Sequence, residues 1–100
     1  MSDQNTKEIK LEIQLDEETA QGSYVNLAVV NHNDTEFVLD FIFVQPQAPR
    51  AKVRSRIITS PRHAKRMLLA LQENVANYER LFGVIEPAMQ RVEETDGHYH

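Results

Sequence analysis

The run from Ser60 to Gly83, S-P-R-H-A-K-R-M-L-L-A-L-Q-E-N-V-A-N-Y-E-R-L-F-G, constrains the fold of this chain more than any other stretch. Its apolar residues Ala64, Leu68, Leu71, Val75, Tyr78 and Phe82 recur at alternating steps of four and three, which keeps them on one stripe of an α-helix. Met67 and Leu81 widen the stripe, so the helix needs a broad surface to cover it. Ser60 suits the N-cap, and Pro61 suits the first helical position, where no N–H is needed. Gly83 can adopt the left-handed geometry just past the end. A helix of about 22 residues spans roughly 33 Å.

Upstream, the spacing changes from helical to alternating. Residues 1–8 are polar and read as a disordered start. Ile9, Leu11, Ile13 and Leu15 then alternate with Lys10, Glu12 and Gln14, which predicts a first strand with one buried face. Asp16 to Gly22 should turn the chain into a second strand over Ser23 to Val30. Asn31, His32, Asn33 and Asp34 are turn-forming residues that predict a hairpin loop. A third strand, Glu36 to Val44, is apolar on both faces and should be central. Pro46 and Pro49 interrupt it, and a fourth strand follows from Arg50 to Ile58. Residues 86–100 read as a tail, partly helical over Glu86 to Val92 and otherwise disordered.

Short connections favour antiparallel neighbours. The predicted fold is therefore α+β: a four-stranded antiparallel meander over residues 9–85, with one long helix packed on one face. The helix-side core would hold Ile9, Leu11, Ile13 and Leu15, then Val25, Leu27 and Val29, the phenylalanine strand's Phe37, Leu39, Phe41 and Phe43, and Val53 with Ile57. The reverse face would present Tyr24, Ala28, Val30, Val38, Asp40, Ile42 and Val44, with Asp40 beside Arg54 or Arg56. An apolar strip of that extent on a small domain marks a partner surface. A second copy in a two-fold arrangement is the simplest partner, making a homo-oligomer, dimer or tetramer, the expected state. The alternative is that the tail folds back over the strip.

The charges are segregated. Seven of the eleven Lys and Arg residues lie between Arg50 and Arg66, and no acidic residue stands between Asp40 and Glu73. Arg62, Lys65 and Arg66 open the helix, against its dipole, by about 0.3–1 kcal/mol per charge. Arg54, Arg56, Arg62, His63, Lys65 and Arg66 thus form a candidate anion or partner site, with phosphate, nucleic acid or an acidic peptide as ligand classes. The competing reading pairs these cations with Asp40, Glu12 and the Asp16 to Glu18 run. Strand four lacks the aromatic residues that stack bases, and the net charge of −4 disfavours general nucleic-acid affinity.

Nothing in the sequence specifies a reaction. There is no cysteine, hence no thiolate nucleophile, disulfide or Cys-based metal site. The glycines, Gly22, Gly83 and Gly97, form no phosphate-cradling loop. His98 and His100 with Asp96 are weak metal-ligand candidates, so neither a cofactor nor an enzyme is expected. The N-terminus has no signal-peptide pattern and no apolar run reaches the roughly 20 residues of a membrane helix. A cytoplasmic location is the expectation.

The runs Y-V-N-L-A-V-V from Tyr24, E-F-V-L-D-F from Glu36 and S-R-I-I-T-S-P-R-H-A-K-R from Ser55 resemble a family of short prokaryotic proteins catalogued only as a domain of unknown function. The resemblance covers Tyr24 to about Gly83. It implies that Asp40, Ser55, Arg56, Pro61, His63, Ala64, Lys65 and Arg66 act together where sheet meets helix, and it carries no catalytic role. A meander followed by a long helix is also similar, at the level of fold alone, to subunits of SecB-type chaperones. The sequence thus supports a self-associating interaction module, with nucleic-acid or phosphate binding and capture of unfolded polypeptide as alternatives.

Overall fold

A computed structural model describes residues 9–88. The element order is α1 (Glu17–Ala20), β1 (Leu27–His32), β2 (Phe37–Val44), β3 (Ala51–Thr59) and α2 (Pro61–Phe82). The strands form an antiparallel sheet in the order β1-β2-β3, with β2 in the middle. Fold class and helix follow expectation. The sheet has three strands rather than four. Residues 1–8 and 89–100, which hold the expected disordered start, most of the tail and the His98–His100 pair, lie outside the described residues.

The predicted first strand is the missing one. Ile9 to Leu15 runs outside the sheet, and Ile13 is 85% exposed. Alternation states which side chains want cover; it does not supply a ladder partner for the backbone N–H and C=O groups. Its exit is fixed locally. Asp16 caps α1 by accepting from the Thr19 N–H at 3.3 Å, and Gly22 takes φ +77° to turn the chain.

The second strand also begins later than expected, because Asn26 replaces a ladder residue with its side chain. Its Nδ2 donates to the Val44 carbonyl at 3.0 Å, and its Oδ1 accepts from the Val44 N–H at 2.8 Å. At the other end β1 continues through Asn31 and His32, and the hairpin is closed by Asn33. The Asn33 Oδ1 accepts from the backbone N–H groups of Thr35 and Glu36, both at 2.8 Å. This is the turn chemistry that short polar side chains favour.

Register decides the two faces. Leu27, Val29 and Asn31 stand opposite Ile42, Asp40 and Val38, whereas Ala28, Val30 and His32 stand opposite Phe41, Leu39 and Phe37. The expected grouping of Leu27 and Val29 with the phenylalanines is therefore wrong by one residue, and a one-residue slip exchanges faces. On the other side Asp40 pairs with Arg56, Leu39 with Ile57 and Phe41 with Ser55. The register then shifts, so that Ile42 meets Val53 and Phe43 meets Lys52. The shift leaves Arg54 as the extra residue of a β-bulge. Val53 thereby joins the Ile42 face, and the expected single-face row Lys52, Arg54, Arg56 is split between the two faces.

The helix obeys its caps. The Ser60 Oγ accepts from the His63 N–H at 3.2 Å, Pro61 starts the first turn, and Gly83, at φ +105°, donates its N–H to the Glu79 carbonyl. Yet no residue of α2 is buried. The described core consists of Ile42, 4% exposed, and Asp40, 1% exposed. No helix among the described residues is long and apolar enough to cross a membrane.

Candidate functional site

Between the sheet and the first half of α2 lies an open groove of about 460 Å³. Its floor is the phenylalanine face: Val30 from β1 with Phe37 and Leu39 from β2. Ala64, Met67, Leu68 and Leu71 form the helical wall, Pro61 closes the start and Lys65 brings the charge. The stripe read from the sequence thus faces the sheet without closing on it. Beyond the groove the stripe continues uncovered, with Tyr78 set against Phe82 at 5.0 Å between ring centroids and Phe82 73% exposed.

The candidate cations are dispersed over this frame. Arg56 forks onto Asp40, its Nε 2.7 Å from Oδ1 and its Nη2 2.8 Å from Oδ2. This bidentate geometry is the strongest pairing a guanidinium offers a carboxylate. Arg54 lies over the Phe43 ring, 5.3 Å from its centroid, on the opposite face. Arg62, Lys65 and Arg66 occupy the first turns of α2, where His63 contributes its backbone N–H to the Ser60 cap. Six residues that share a stretch of sequence are therefore divided among the two faces of the sheet and the start of α2. Arg56 fastens the sheet from one side, Arg54 rests on an aromatic ring on the other, and Lys65 of the helix start borders the groove.

The residues expected on one apolar strip divide as well. Val38, Asp40, Ile42 and Val44 keep one face. Ala28 and Val30 lie on the phenylalanine face, and the Tyr24 ring meets Phe43 edge-on at 6.2 Å on that side. His32 stacks on Phe37 with ring centroids 5.2 Å apart. Sequence reasoning missed Asn26 and the bulge. An amide side chain just before an apolar run was the available signal for the first, and nothing local announced the second.

This arrangement, a three-stranded antiparallel sheet followed by a long amphipathic helix whose apolar stripe is exposed, defines a small α+β protein. The chain belongs to the family described as protein of unknown function, DUF3467, whose model matches residues 1–87. No curated protein and no solved structure matches it.

Proposed function

We propose that the protein is a self-associating interaction module in which another copy of the chain covers α2 and the phenylalanine face of the sheet. The observation that carries this is a capped helix of 22 residues with none buried. Leu71 on its apolar stripe is 60% exposed.

The surface differs from the strip expected from the sequence. Asp40 and Ile42, which that strip offered to a partner, are already covered within one chain. Exposed apolar side chains include Val30 and Ile57 on the other face and the stripe of α2, and the reading assigns this surface binding rather than catalysis. The test is molar mass in solution by light scattering on a sizing column at low and high salt. A whole-number multiple of 11.6 kDa at both salts is expected, because an apolar interface is not screened by ions. A mass of 11.6 kDa throughout the accessible concentration range would overturn the reading and leave the groove to a foreign chain.

A further inference from the structure

Resting on that self-association reading, we infer that two copies pair α2 against α2 in antiparallel register about a two-fold axis, each inserting its last helical turns into the other's groove. The inference comes from how the helix complements itself. In one antiparallel register, Leu71 lies opposite the partner's Val75, Leu68 opposite the partner's Tyr78 and Ala64 opposite the partner's Phe82. Large rings meet small or flexible side chains at both ends, which is the alternation close packing requires.

The flanks agree with the core. On one flank the stripe is bordered by Lys65, Gln72 and Glu79, at steps of seven. Antiparallel pairing sets Lys65 against the partner's Glu79 at both ends and Gln72 against the partner's Gln72 on the axis. On the other flank, Met67 meets the partner's Leu81 and Asn74 meets the partner's Asn74. A parallel arrangement would instead lay this flank against the partner's Met67, Asn74 and Leu81, leaving Lys65 and Glu79 without opposite charges across the interface.

The groove matches the same geometry. It is open beside Ala64, the smallest side chain of the stripe, and its floor of Val30, Phe37 and Leu39 is apolar. In the inferred register it receives the partner's Phe82 and Tyr78, both exposed in the single chain. Glu79 is oriented in advance: its Oε2 accepts from the Ile85 N–H at 2.9 Å, leaving Oε1 for the incoming lysine. Lys65, costly at the start of an isolated helix, thus gains a partner in the opposite copy. The two-fold contact is self-complementary and closes at two chains.

Because the chain has no cysteine, single introduced thiols report on the register without background. Gln72→Cys and Lys65→Cys are each treated with a short bis-maleimide that spans neighbouring helices, roughly 8–10 Å. Antiparallel pairing predicts a covalent dimer from Gln72→Cys and none from Lys65→Cys, whose two copies would stand roughly 20 Å apart along the axis. Linkage of both would mean parallel helices and overturn the inference. Linkage of neither, with light scattering still reporting an oligomer, would also overturn it while leaving self-association intact. A monomer by light scattering would remove both readings together. As a second arm, Lys65→Glu should weaken the dimer about tenfold, and Lys65→Glu with Glu79→Lys should restore it; failure of the double variant to recover would count against the register even if both single variants fold.

Discussion

β2 and α2 carry apolar patterns of similar strength, yet every residue of β2 is at least half-buried and none of α2 is buried. The difference lies in how each gains its cover. A middle strand is fixed by two ladders that form as soon as its neighbours arrive, and those neighbours are a few residues away in sequence. A helix satisfies its own backbone, so it can be fully formed while its stripe waits for an opposing surface. Patterning states how much cover an element needs; local connectivity decides whether the same chain provides it.

The largest effect should come from truncating one residue of equal weight in each element. Ile42→Ala empties a site that is 4% exposed and should cost about 2–5 kcal/mol at any protein concentration. That is a large share of the roughly 5–15 kcal/mol typical of a domain. Leu71→Ala, at a site 60% exposed in the single chain, should cost at most about 0.5 kcal/mol in dilute solution. Its cost should rise as concentration increases and the stripe is covered. Denaturant midpoints at two concentrations a hundredfold apart check the comparison. A concentration-independent penalty of several kcal/mol for Leu71→Ala would break it, because the stripe would then be covered within one chain.

A smaller effect should follow from the fork that ties β2 to β3. Arg56→Ala removes two charge-assisted hydrogen bonds from a carboxylate that is 1% exposed and should cost about 1.5–3 kcal/mol. Arg56→Lys should recover part of this, since an ammonium restores charge without the fork. Chemical denaturation of the three proteins measures the series. Equal stability of Arg56→Ala and the parent would mean that the sheet is held by its ladder and core alone.

Much of this was legible in the residues. The helix from Ser60 to Gly83 could be read because cap, first-turn proline, stripe and terminal glycine all point the same way. A pairing of Asp40 with Arg54 or Arg56 could be read because Asp40 is the lone acidic residue facing a run of cations; the register selects Arg56. What failed did so at single-residue precision. Asn26 moved the start of β1, an extra Arg54 reversed the far end of β3, and the faces changed with them. The four-strand sheet failed for a different reason: Ile9, Leu11, Ile13 and Leu15 have strand alternation, but no described strand takes them as a neighbour. The candidate cations of β3 are spread because proximity in sequence is divided by the two faces of a strand.

The smallest effect concerns the segment that joins the uncovered alternating run to the sheet, where fastening rests on a side-chain cap rather than a ladder. The carboxyl of Asp16 is held below its usual value of 3.8, chiefly by its side-chain hydrogen bond with Thr19. A lowered value in the folded chain means that ionised Asp16 favours α1. That contribution is complete above pH 3.8 and is lost as pH falls through the lowered value. Exchange of the Thr19 amide should therefore accelerate on acidification across that range beyond the intrinsic pH dependence of exchange. Asp16→Asn keeps an acceptor at the cap without a titrating group, so its Thr19 amide should show no such step. If parent and variant behave alike, the carboxylate does not hold the turn, and the contrast between a laddered sheet and a side-chain-fastened approach would have to be drawn without it.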